Sequence, residues 1–297
     1  MLEQRRAGVE NESGARTEGQ GFCWAAIAWY GLLLCALYAP VLAAMIREWA
    51  TVEEMGHGFF VPPVAAYIVW QRRAELLATS LHPDWRGLLL VIWGFVQLVL
   101  GRAGADFFLM RVALLISLVG VLWTLGGLRL LARLAFPLFL LLFMIRIPLF
   151  IYSQITLPLQ LLASRVAEIA LSALGIPVLR EGNILELASQ RLSVAEACSG
   201  IRSLLSLSFL ALVYAYWFDR KVWMRPVLLV AAIPIAIVSN SARVTLNGIL
   251  SEINPELTHG FYHQLEGWTV FVFALAALIV THKVVDLLWR LYSARRH

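Results

Sequence analysis

Charge is what this chain has least of: Asp, Glu, Lys and Arg make up 14% of its 297 residues. Soluble domains carry about a quarter, so an ordinary water-facing globule is excluded. Cysteine is scarce as well. There are three, and Cys23 and Cys35 both fall in the first apolar run, leaving only Cys198 in a polar setting. An odd count placed in this way gives neither a disulfide framework nor a metal cluster. The sequence also lacks a glycine-rich phosphate loop and an HExxH zinc pattern, which removes the ATP-driven and zinc-protease classes and leaves no cofactor or metal to expect. No internal repeat is present.

What fills the chain instead is apolar sequence, 60% of all residues, at a mean hydropathy of +0.76. That composition belongs to a polytopic membrane protein. The net charge of +5 comes from basic residues scattered in ones to threes between apolar runs, the pattern of topology determinants and not of a nucleic-acid surface. Membrane lipid is the expected partner; nucleic acid is not.

Residues 1–21 have no apolar periodicity and read as a disordered cytoplasmic tail. Residues 22–297 read as one integral membrane domain, all-α, with about eight transmembrane helices. The spans are expected near 22–46, 51–70, 87–104, 107–127, 129–149, 199–218, 226–248 and 267–289. The second, interrupted by Pro62-Pro63, is the shortest in its apolar part; it is kept because omitting it puts Arg72, Arg73 and Arg86 on the wrong side. With both termini inside, the Lys and Arg clusters fall on the cytoplasmic side. The segment 150–197 and the loop 249–266 then lie outside.

Within that outer segment Gln160, Ser164, Arg165, Glu168 and Ser172 form one helical stripe, opposite Leu161, Leu162, Val166 and Ile169. This predicts an amphipathic helix on the membrane surface or capping the bundle. Short apolar runs around Glu181-Gly182-Asn183 predict a small hairpin leading to Cys198.

Three dispersed groups useful for acyl transfer reach the same outer face under a topology fixed without them. Cys198 stands where a polar segment meets a helix start, whose unpaired N–H groups and dipole favour thiolate; a small buried hydrophobe is the alternative. Arg243, late in an outward-going span, is either a site cation or a snorkelling charge, and Asn240 gives it a polar neighbour one turn earlier. His263, with His259 as its rival, precedes the last span; each is also readable as an interfacial polar residue. Together they form a coherent set: a thiolate nucleophile, an imidazole to protonate the departing amine and a guanidinium for the oxyanion. A thiol with a pKa near 8.5 needs a nearby cation to be useful at neutral pH.

Other groups are weaker. His57-Gly58 through Pro63 either shapes a substrate groove or is a plain helix-entry turn, and Arg111 and Arg146 read as packing or interface charges. His82, His282 and His297 fall on the cytoplasmic side and are left out of the site.

Glu196-Ala197-Cys198-Ser199-Gly200-Ile201-Arg202-Ser203-Leu204, then Asn240-Ser241-Ala242-Arg243, then His263 with Gly267, resembles the exosortase/archaeosortase family. The resemblance extends to His57-Gly58 through Pro63 and to the order of motifs. It implies a membrane cysteine protease/transpeptidase with Cys198, Arg243 and His263 as its catalytic set, and with Asn240, Glu196, His57 and His259 as supporting or substrate-binding residues. The implied substrates are exported proteins bearing a C-terminal sorting signal: a short motif such as Pro-Glu-Pro, a transmembrane helix and a basic cluster. The implied setting is the periplasmic face of a bacterial inner membrane, with exopolysaccharide-assembly proteins as further partners. A non-catalytic membrane component of exopolysaccharide export is the rival from another class.

Overall fold

The computed structural model describes residues 24–194, 201–254 and 260–294, with backbone alone for Ile201, residues 260–264 and Glu266. The expected tail lies outside the described residues. The chain divides into two compact units, Met1–Ile147 and Pro148–His297.

In the first unit, α1 (Trp24–Leu37) and α2 (Ala39–Thr51) meet at a 70° bend. Pro40, in the first turn of α2, has no N–H to continue the α1 ladder, which is why the chain turns there. A 3-10 segment (Glu53–Phe59) leads into α3 (Val61–Gln71) and α4 (Arg73–Leu77). The unit ends with α5 (Arg86–Ala103), α6 (Phe107–Leu140) and a second 3-10 turn, Leu141–Met144. Gly87, Gly94 and Gly101 recur every seven residues along one face of α5 and let it close on α6. A Cβ on Gly94 would stand 2.2 Å from Ser117 Oγ, and one on Gly87 2.4 Å from the Thr124 nitrogen. Close approach of this kind is how helices associate in lipid, where no hydrophobic gain drives them together. Tyr38 joins the seam through its hydroxyl, 3.0 Å from Ser117 Oγ.

α6 breaks at Gly127, whose φ of 76° and ψ of 178° interrupt the helix. A Cβ there would strike the His82 carbonyl at 2.1 Å, so the connection before α5 docks into the break. The two spans expected at 107–127 and 129–149 are the two halves of this broken helix.

The second unit opens with α7 (Leu149–Ala173), followed by β1 (Val178–Glu181), β2 (Ile184–Leu187) and β3 (Arg191–Ser193). The strands form an antiparallel sheet in chain order. Gly182, at φ 66°, makes the two-residue turn that pairs Glu181 with Ile184. The expected hairpin therefore gains a third strand. The polar stripe of α7 faces this sheet: Ser164 Oγ donates to the Gly182 carbonyl at 2.9 Å, Asn183 to Gln160 at 3.1 Å and Arg180 to Glu168 at 2.6 Å. Beneath them Ala163, Ala167 and Leu171 of α7 share one buried cluster with Leu185, Leu192, Val194 and Val244.

The unit closes with α8 (Ile201–Phe218), α9 (Met224–Ile253) and α10 (Gly260–Ala294). Their interface is rich in alanine, with Ala211 and Ala215 of α8, Ala232 and Ala236 of α9 and Ala274 of α10 all buried. At the ends of α8 and α10 remote from Gly267, a polar network crosses between elements. His282 Nε2 donates to Asp219 at 3.1 Å, in the tautomer that lets Tyr214 donate to Nδ1 at 3.1 Å. Lys221 pairs with Asp286, which also takes Arg290 at 2.7 Å.

The protein is an all-α polytopic membrane protein. The expected count of eight spans is not reproduced: five described helices are long and apolar enough to cross, six with the bent α1–α2 pair taken as one. α3, at 11 residues, rises only about 16 Å against a hydrocarbon core of about 30 Å. α7, expected from its stripe to lie on the membrane surface or to cap the bundle, is itself among the five.

Asp219 lies between α8 and α9, outside the spans. Burial raises its pKa, but the Lys221 N–H, the His282 imidazole and the Lys221 charge outweigh that and hold it below its ordinary value of 3.8. A depressed folded pKa means the carboxylate stabilises the fold above its unfolded value, and that contribution is lost as pH falls through the folded value. Asp219→Asn should therefore lower the melting temperature in detergent by about 2–4 °C at pH 7. The gap from wild type should close below pH 3.8; a gap that is constant with pH would remove the ionic account.

Candidate functional site

Of the residues singled out by sequence, Cys198, Glu196 and His259 lie outside the described residues. His263 has its backbone in the first turn of α10, with its side chain outside that description. Arg243 and Asn240 belong to α9. His57 belongs to the first unit, in the 3-10 segment before α3.

Arg243 and Asn240 sit one turn apart. Asn240 is 4% exposed and lines a small cavity with Leu159 of α7 and Leu204 of α8. Arg243 is half-buried, and α10 meets it at Gly267. A Cβ built there would lie 3.4 Å from Arg243 Nη2 and 3.5 Å from Cζ. A Cβ would only touch the guanidinium at ordinary contact distance, so α10 passes within side-chain reach of Arg243 at this position and only a longer side chain would have to displace it. His263 precedes Gly267 by four residues in that helix, so the two positions share a face.

The segment carrying Cys198 is bracketed by described residues. The chain enters it after Val194, which is fully buried in the cluster that also holds Val244. It leaves it into α8, whose Leu204 shares the cavity with Asn240. The two anchors are thus associated with Val244 and Asn240, which flank Arg243 on its turn of α9. Beside that turn, an open groove runs between α7 and α9, lined by Leu162, Val166, Ser241, Ala242 and Thr245. Its hydroxyls are spent on their own helix, Ser241 on the Ile237 carbonyl at 2.9 Å and Thr245 on that of Ser241 at 2.9 Å. The groove wall is therefore apolar in effect.

His57 serves its own unit. Its Nε2 donates to the Phe143 carbonyl at 3.0 Å, while Trp49 Nε1 donates to the adjoining Met144 carbonyl at 3.1 Å. Gly58 lies flat on that indole, where a Cβ would come within 2.5 Å of the ring. Burial pushes the His57 imidazole below its ordinary pKa, against the pull of the Phe143 carbonyl, so at neutral pH it is an uncharged strut. The His-Gly pair holds the entry to α3 onto the end of α6. Arg111 and Arg146 share one carboxylate, Glu48, at 2.8 and 3.3 Å. Their reading as packing charges accounts for these contacts.

Two polar features were not found by sequence reasoning. His282, set aside as a cytoplasmic residue, ties α10 to α8 and to the loop before α9. Asn247, one turn beyond Arg243, is 1% exposed. Its i+4 spacing from Arg243 was the available signal.

The family model for transmembrane exosortases matches residues 49–280. No curated protein and no solved structure matches the chain.

Packing at Gly267 gives a direct test. Gly267→Leu should lower the melting temperature by several degrees, because the new side chain must displace the guanidinium. In an Arg243→Ala background most of that loss should vanish, a coupling of about 1 kcal/mol. Additive losses in the double-mutant cycle would mean that Gly267 and Arg243 do not meet.

Proposed function

The chain belongs to the transmembrane exosortase family, and we propose that it acts as a membrane-embedded cysteine protease/transpeptidase on exported proteins with a C-terminal sorting signal. The reaction takes place on the periplasmic side of the bacterial inner membrane, with both termini in the cytoplasm. What supports the reading most is the bracketing of Cys198: on either side of it in sequence, Val194 shares a buried cluster with Val244 and Leu204 lines a cavity with Asn240, while Gly267 of the His263 helix lies beside Arg243.

The chemistry follows from the residue types. The Cys198 thiolate attacks a peptide carbonyl, forming a C–S bond and an oxyanion that Arg243 stabilises. Collapse breaks the C–N bond, and His263 gives its proton to the departing amine. An acceptor nucleophile then attacks the thioester carbon, giving its proton to the now neutral His263, and the C–S bond breaks to restore the thiolate. Resonance along a planar guanidinium lets Arg243 serve two oxygens at once, which an ammonium cannot do.

A tagged exported protein carrying a candidate signal, co-expressed with the enzyme, tests this. Cys198→Ala should abolish processing while the protein still accumulates in the membrane; persistence of processing would sink the catalytic reading. Arg243→Lys should cost about 100-fold in rate despite keeping the charge. Mass spectrometry of the new C-terminus should show an attached group, and a bare carboxylate would reduce the reaction to hydrolysis.

A further inference from the structure

Asn247 is 1% exposed, and neither Nδ2 nor Oδ1 of its side chain has a hydrogen-bonding partner among the described residues. A buried amide left in this state costs several kcal/mol in an apolar medium. Buried hydroxyls elsewhere on α9 avoid that cost: Ser251, one turn on, and Ser241 bond to carbonyls of their own helix. An asparagine amide is too far from its own backbone ladder to do the same with both atoms.

We propose that Asn247 is a substrate-binding residue, whose amide pairs with a peptide group of the substrate beside the scissile bond. The inference rests on the proteolytic reading above. The ligand class follows from the chemistry of the unpaired group. Asn presents one donor function and one acceptor function in a single plane. A carboxylate or phosphate offers only acceptors and an ammonium only donors, so each would leave half of the amide unmet. A neutral peptide group, with its N–H and C=O, meets both.

Position narrows it further. Asn247 lies four residues beyond Arg243 in α9, a rise of about 6 Å. An extended chain advances about 3.4 Å per residue, so a substrate whose reacting carbonyl meets Arg243 presents a peptide group to Asn247 about two residues away.

Replacing an unsatisfied amide by an apolar group of similar shape does not cost stability, whereas replacing a bonded one does. That separates a substrate contact from a structural one. In Asn247→Leu the melting temperature should equal or exceed that of wild type. Processing of the tagged exported protein should show KM raised about tenfold, the loss of one to two neutral hydrogen bonds, with kcat changed less than about threefold. Asn247→Ala, which cannot overpack, should give the same KM effect should the leucine variant fold poorly, with a melting temperature within about 2 °C of wild type. A clear fall in melting temperature in both variants would overturn the proposal, because the amide would then be structural. Unchanged KM would overturn it too. If Cys198→Ala still processes the substrate, the proteolytic reading fails and this one with it; if only the Asn247 results go against expectation, the proteolytic reading stands.

Discussion

A guanidinium set within a long apolar helix is the constraint that organises the second unit. Placing a cation at the depth of a membrane span costs several kcal/mol unless it finds polar company or an interface. α9 supplies Asn240 one turn away. α10 approaches at Gly267, the one kind of residue with no side chain to intervene. The alanines that line the contact among α8, α9 and α10 let those helices come close enough for this to happen, since packing in lipid depends on approach and not on expulsion of water.

The first unit solves its own problem by the same means with different residues. There the seam is a heptad of glycines on α5 against Gly120, Ser117 and Ala113 of α6. Seven residues is two turns, so a strict heptad keeps one face turned to its partner along the whole length of α5. Once two helices are this close, the connection between α4 and α5 fits only where α6 breaks at Gly127. The break, the seam and the docking of His82 are thus one arrangement, reached from the spacing of small residues.

Much of this could be read in the sequence, and the failures are instructive. Composition and hydropathy gave the class, and the turn around Gly182 gave the sheet's first hairpin. The polar stripe on α7 was legible but its partner was not: amphipathicity reports that a helix has two different neighbours, and here the polar face meets a β-sheet. The count of eight was not confirmed, because α3 has only 11 residues, the described part of α8 is a shorter apolar helix, and the two spans expected on either side of Gly127 count as one helix. Arg243 and Asn240 were legible because a charge in an apolar run is conspicuous. Asn247 was not, since an amide four residues after a cation looks like an ordinary helix end; only its burial and the lack of a partner among the described residues set it apart. His57 was drawn to notice by its motif, yet its contacts hold Phe143 within the first unit.

The far-end network around His282 explains how a sparsely packed helix can still be set with precision. α10 has only 11% of its apolar window buried, against 33% for α9, so few contacts within the chain fix its rotation about the helix axis. Ala274 and Leu278 provide packing, but dispersion between small side chains has little directional preference. Hydrogen bonds and ion pairs do have direction. Tyr214 and Asp219 on either side of His282, and Lys221 against Asp286, fix both the depth and the rotation of α10 at one end. A helix of radius about 5–6 Å that turns by 20° carries a side-chain tip through about 2 Å, and displacements of about 1 Å are enough to spoil a reacting geometry. The polar residues farthest from Arg243 thereby govern how Gly267, and the helix face it shares with His263, is presented to it.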